Sequence, residues 1–161
     1  MISIEKIQLL PLFHRATITE EHLDIMGHMN IRWYIGLFDE AAWKFFDSFG
    51  MTQDYYKREK AGGFALQQFI RYLAEVRLGE TVAIHTRMLA RSRKRIHFMH
   101  FMINESKSKL AATLETLGTH ADMTIRRTSP YPSDIAQQID ALIAEQSQLD
   151  WQAPICGVIK P

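Results

Sequence analysis

A single cysteine, Cys156, stands in the 161 residues. No intrachain disulfide can form, and this usage fits a reducing cytoplasm. No apolar run approaches the roughly 18 residues of a membrane-spanning helix. The stretch from Met1 to Pro11 has no basic start followed by a sustained apolar core, so it does not read as a secretory signal. Net charge is nearly missing too: 19 basic residues against 18 acidic ones leave +1. That excludes a general attraction to nucleic acid or anionic membrane, and any basic function must be local. Repeats and low-complexity segments are absent. What remains, 47% apolar and 23% charged residues, is an ordinary globular composition. The length suits one domain, 1–161, burying about 70% of its unfolded surface.

Alternation of β-branched and polar residues predicts a strand from Phe13 to Glu20. After a loop carrying Asp24 and Gly27, apolar residues recur at helical spacing from about Ile31 to Phe49, with Gly50 as the C-cap. Residues Met51 to Ala61 read as polar and aromatic connection. A two-residue period then runs from Gly62 to Leu78, ended by Gly79-Glu80. Further strands are expected over Thr81–Ala90 and Leu110–Ile125; the near-continuous apolar run Ile96–Ile103 is typical of a strand buried on both faces, although period alone also allows a short buried helix. A helix capped by Ser133 or Asp134 runs through about Gln146. Short turns between the four long strands predict an antiparallel meander with the long helix packed on its concave face.

The stretch Asp24-Ile-Met-Gly-His-Met-Asn30 carries the chemistry. A carboxylate sits a few residues ahead of a glycine turn and a helix start, so an acid or nucleophile lies close to backbone N–H groups that favour negative charge. Acyl transfer or hydrolysis needs those two parts within reach of one carbonyl.

This stretch, with Tyr34 ten residues after the aspartate and Glu40 further along the helix, resembles the hotdog-fold acyl-CoA thioesterases, in their 4-hydroxybenzoyl-CoA thioesterase-like branch. Arg71-Tyr-Leu-Ala-Glu-Val-Arg-Leu-Gly-Glu80 is similar to that family's second strand and turn. The resemblance covers about Phe13 to Arg127, with the C-terminal helix and tail, 133–161, beyond this core. It implies an α+β hotdog fold, a curved antiparallel sheet wrapped around a long central helix, plus the C-terminal helix. It also implies Asp24 as nucleophile or general base, with backbone N–H groups near Asn30 and Ile31 polarising the thioester carbonyl. Gly27, His28, Met29, Tyr34 and Glu40 complete the implied positioning set. Ile31 departs from the family, which often has Asn or His there. The substrate implied is a thioester of coenzyme A or acyl carrier protein, hydrolysed without a cofactor in the cytoplasm by a homodimer or homotetramer whose acyl pocket lies between subunits.

Each residue also has a plainer reading. Asp24 lies too far from Ile31 for simple capping. His28 is a general base or a support for the turn. Asn30 is a good N-cap, and Gly27 permits a positive φ or close substrate approach. Tyr34 suits core or pocket wall. Glu40 is a second carboxylate or the surface partner of Lys44, four residues on. Gln67 and Gln68 could hold water or a substrate amide. Arg91, Arg93, Lys94 and Arg95 form a solvated hairpin tip or grip coenzyme A phosphates. His85, His97, His100 and His120 lack metal-ligand spacing, so no zinc site is expected. Met88, Met99, Met102 and Met123 read as core. Two rival functions keep the fold: a non-catalytic acyl-CoA-binding protein and a hotdog dehydratase. The short segment before Phe13 offers no DNA-binding element for a regulator, and the carboxylate–histidine spacing of a dehydratase is not found.

Overall fold

The computed structural model describes residues 2–161; Met1, first residue of the expected 1–161 domain, lies outside the described residues. In chain order the elements are α1 (Ile4–Ile7), β1 (Leu12–Thr17), a 3-10 turn (Glu20–His22), α2 (Ile31–Asp47), α3 (Gln53–Glu59), β2 (Ala61–Tyr72), β3 (Thr81–Arg91), β4 (Arg95–Asn104), β5 (Lys109–Asp122), β6 (Arg127–Thr128) and α4 (Ser133–Gln146). The sheet order is β1-β3-β4-β5-β2, with β6 paired to β5. This is an α+β chain with the long helix and the C-terminal helix where the periodicity placed them.

The expected four-strand meander is corrected. β3, β4 and β5 follow one another, but β2 pairs with β5 at the far edge. The reason lies in residues 73–80, which make no tight hairpin. Gly79 N–H donates to Ile18 O at 2.8 Å and Ile18 N–H to Glu80 O at 2.9 Å, so β3 starts beside β1. β1 and β3 then pair antiparallel from Thr17↔Thr81 to Leu12↔His85. The strand expected through Leu78 accordingly stops at Tyr72.

Other boundaries moved for local reasons. β1 ends at Thr17, because His22 Nδ1 accepts from Thr19 N–H at 3.0 Å and closes the 3-10 turn. α3 stands where the sequence predicts a connection; it is only seven residues long, with Tyr55 its buried residue, and Thr52 Oγ1 caps it by accepting from Tyr55 N–H. So short a helix shows almost no period. α1 and the two-residue β6 went unread for the same reason. α4 begins at Ser133 with Pro132 in the cap position.

The described chain groups into two compact units. The first holds the chain up to Lys44 with Ile70–Thr86 and His100–Leu114; the second holds Phe45–Phe69, Arg87–Met99 and Glu115–Pro161. In the first, Tyr34, Leu37, Phe38 and Ala41 of α2 pack with Val82, Ile84, Met102, Ala111 and Ala112. Each large side chain so buried contributes about 1.5–3 kcal/mol. His100 stacks on Phe38 and shares a 2.7 Å hydrogen bond with Thr86 Oγ1.

In the second unit, Phe45 meets Phe49 and Phe98, each at 5.2 Å between ring centroids. Adjacent strand residues face opposite ways, so His97 turns away from that aromatic cluster. Its Nε2 lies 2.8 Å from Glu115 Oε1, and Glu115 Oε2 accepts from Cys156 N–H. The C-terminal segment therefore covers a buried polar surface of these strands. Arg87 donates to Gln146 O and Trp151 O and lies over the Trp151 ring.

Candidate active site

Backbone bonds close residues 19–30 into a supported loop within the first unit. Asp24 N–H donates to His28 O and Gly27 N–H to Asp24 O, both at 3.0 Å. Leu23 bridges Met29 above them. Gly27 has φ +81°, which glycine adopts without strain. An added Cβ there meets nothing within 4 Å, so the positive φ is the reason for glycine at this position.

The Asp24 carboxylate is oriented by its own loop. Oδ1 accepts from Met26 N–H at 2.8 Å, the Asx-turn arrangement. Oδ2 lies 3.6 Å from His28 Nδ1, and the Asp24 side chain keeps 15% of its surface exposed. That separation is too long for a hydrogen bond. His28 also bridges Arg77 through its backbone, the turn-supporting position considered for it.

The loop delivers the chain to the N-terminus of α2. Asn30 Oδ1 accepts from Arg32 N–H at 3.1 Å, and Asn30 O accepts from Trp33 N–H. Asn30 is the N-cap that its residue type suggests. Its own N–H donates to His22 O at 2.9 Å, so this amide is already engaged. The side chain of Ile31 is 65% exposed at the first helical position. Upstream, the His22 ring lies 4.5 Å from that of Trp33, whose Nε1 donates to Glu21 O. Met29 is buried in the core. Tyr34 is buried as well: its hydroxyl donates to Ala74 O at 3.3 Å, its ring meets Tyr72 edge-on, and burial pushes its phenol up.

Glu40 faces different partners. It is exposed, and its charge acts on His14, where burial first and then Lys44 lower the imidazole pKa against it. Lys44 Nζ lies 3.3 Å from His14 Nδ1. Arg91, Arg93, Lys94 and Arg95 belong to the second unit. There Arg91 pairs with Asp140 of α4, Lys94 donates to Thr128 O, and Arg93 and Arg95 are exposed. Gln67 and Gln68 are exposed on β2. Of the histidines, His85 Nδ1 lies 2.8 Å from Leu10 O, while His120 sits between Tyr55 and Ser129. Among the described residues, no group of three or more His, Cys, Asp or Glu is placed to hold a metal.

Sequence reasoning missed the turn behind the motif. Met29 N–H donates to Val76 O at 2.7 Å, and Glu80 gathers three donors: Arg77 N–H, Asn104 Nδ2 and Lys107 Nζ. Burial pushes the Glu80 carboxyl up, but the hydrogen bonds from Lys107, Arg77 and Asn104 outweigh it and hold it below the usual range. Gly79-Glu80 signalled a turn in the sequence, without its destination.

A profile of the thioesterase-like superfamily matches residues 18–139. The betainyl-CoA thioesterase of Pseudomonas aeruginosa is 24% identical over 131 residues, covering 80% of this chain and 81% of that protein. An L-carnitine dehydrogenase/betainyl-CoA thioesterase of Agrobacterium fabrum is 28% identical over 83% of this chain, which spans only 27% of that longer protein. A hypothetical protein of Staphylococcus aureus solved in complex with CoA is 25% identical, with a TM-score of 0.82 over 89% of this chain and 90% of that one. The chain belongs to the thioesterase-like superfamily, and its α+β architecture is the hotdog fold.

Proposed function

We propose that this chain is an acyl-CoA thioesterase in which Asp24 acts on the thioester carbonyl. The observation that supports it most is the Asp24 carboxylate, oriented by Met26 N–H in the very loop that ends on the first turn of α2. Relatives named as thioesterases and a similar fold solved with CoA support the substrate class. As nucleophile, Asp24 Oδ2 attacks the carbonyl carbon, expels the CoA thiolate and leaves a mixed anhydride that water hydrolyses. As general base, it takes a proton from water, which attacks instead; the tetrahedral intermediate then collapses with loss of thiolate. In both routes the Ile31 amide and the helix N-terminus stabilise the oxyanion, a kind of contact worth about 3 kcal/mol per donor. Gly27, His28, Met29 and Asn30 shape the loop, and Tyr34 forms a wall behind it.

The acyl group to try first is betainyl, which the Pseudomonas and Agrobacterium relatives are named for. Release of CoA thiol across an acyl-CoA panel is the assay. Asp24→Ala is expected to lower kcat at least about 100-fold. A wild type that releases no thiol from any member, or an Asp24→Ala variant at full rate, ends this reading. Single turnover in oxygen-18 water separates the routes, since only the anhydride can leave label in Asp24.

A further inference from the structure

The turn formed by Arg77 to Glu80 has more anchoring than a connection of that length needs. Glu80 N–H donates to Arg77 O at 3.2 Å, while Glu80 Oε2 accepts from Arg77 N–H at 2.9 Å, so the side chain closes its own turn. Asn104 Nδ2 reaches the same oxygen at 2.6 Å, and Lys107 Nζ reaches Oε1 at 2.6 Å. A carboxylate with charged and neutral donors converging on it is held strongly, because such bonds are about twice as strong as neutral ones. On its other side the turn is bonded to Ile18. What it carries in turn is the motif loop: Val76 O accepts from Met29 N–H, and Arg77 bridges His28. His28 O closes the loop onto Asp24 N–H.

We infer that Glu80 is a positioning residue for the reaction, pinning the Arg77–Glu80 turn so that residues 76 and 77 set the place of the Asp24 loop. This rests on the assignment of chemistry to Asp24. Glu80→Ala removes the acceptor for all three donors. Glu80→Gln keeps an acceptor for Arg77 and Asn104 and gives up the Lys107 charge pair. Glu105→Gln removes the ion pair with Arg15 in the same unit and leaves the turn alone.

The test combines steady-state kinetics on an acyl-CoA that the wild type hydrolyses with amide nitrogen NMR. Glu80→Ala is expected to lower kcat about tenfold to a hundredfold, since small misplacements cost that much, with KM within about twofold. Glu80→Gln recovers most of the rate, and Glu105→Gln keeps it. The amide signals of Gly27 and Met29 shift in Glu80→Ala and return in Glu80→Gln. An unchanged kcat in Glu80→Ala overturns the inference, as does a rate loss that follows thermal destabilisation with those two signals unmoved. Should Glu80→Ala not fold, Asn104→Ala carries the test, since it removes a bond to the Glu80 side chain that Glu80→Gln keeps: a smaller kcat loss with shifted Gly27 and Met29 signals supports the inference, and an unaltered rate overturns it. An inactive wild type, or full activity in Asp24→Ala, instead removes the hydrolase reading; the two amide signals still report whether the turn governs the loop.

Discussion

At Gly27 one backbone angle decides what the position tolerates. With φ at +81° and open space where a Cβ would sit, substitution is penalised by conformation and not by crowding. Gly27→Ala is expected to cost about 1–2 kcal/mol. Gly27→Asn should cost less, because asparagine enters the left-handed region more readily. Thermal unfolding of both variants checks this: equal melting temperatures for alanine and wild type would contradict it. The same residue-level logic explains Asn30, whose side chain and carbonyl take up the Arg32 and Trp33 amides. Both roles were legible in the chain, since glycine and asparagine are chosen by local backbone demands. The burial of His97, His100 and Glu115 was not legible, because it depends on strands brought together from distant parts of the chain.

Where α2 meets β3 and β4, the helix–sheet contact carries a pH dependence. His100 on β4 is fully buried against Phe38 and hydrogen-bonded with Thr86, and burial lowers its pKa to about 3. The unfolded chain binds that proton near 6.5, so between those values it holds more protons than the folded one. Stability from this site is therefore complete above about pH 6.5 and falls as the pH drops towards 3, by up to about 1.4 kcal/mol per unit. Urea midpoints at pH 7 and pH 4.5 measure it. His100→Gln should flatten the difference between them, and an equal pH slope in that variant would refute the assignment. The long elements were readable along the chain: α2, β3 and α4 lie close to where period placed them, β5 lies close to its expected strand, and β4 is the strand and not the short buried helix that its unbroken apolar run also allowed. α3 and the two-residue β6 were not, since seven residues or fewer hold too little periodicity to separate from a loop.

Across the molecule, β2 is one of the two edge strands of the sheet, and it keeps Phe64, Leu66 and Tyr72 exposed at 45%, 44% and 47%. Apolar side chains on an unpaired edge are a template for pairing, and we propose that a second copy of the chain covers it, as the expected homodimer or larger assembly requires. Sedimentation equilibrium should give at least a dimer, and Leu66→Lys should shift it towards monomer. A monomeric wild type at working concentration would rule this out. The opposite treatment is given to the strands of the second unit, where Arg87 and Glu115 are capped by the chain's own C-terminal segment. Among the described residues, no helix is long and apolar enough to cross a membrane.

The amino-acid order alone determined the long elements, the glycine and cap positions of the Asp24 loop, and the family, because each is written in residues adjacent along the chain. Folding decided the rest. It set β2 beside β5 instead of β3, turned Lys44 towards His14 and Arg91 towards Asp140, and placed the Glu80 turn behind the Asp24 loop. Those outcomes depend on which donors and acceptors remain unpaired once strands have met, and residues 30 and 49 positions apart in sequence, as in the Lys44–His14 and Arg91–Asp140 pairs, settle that only when packing brings them together.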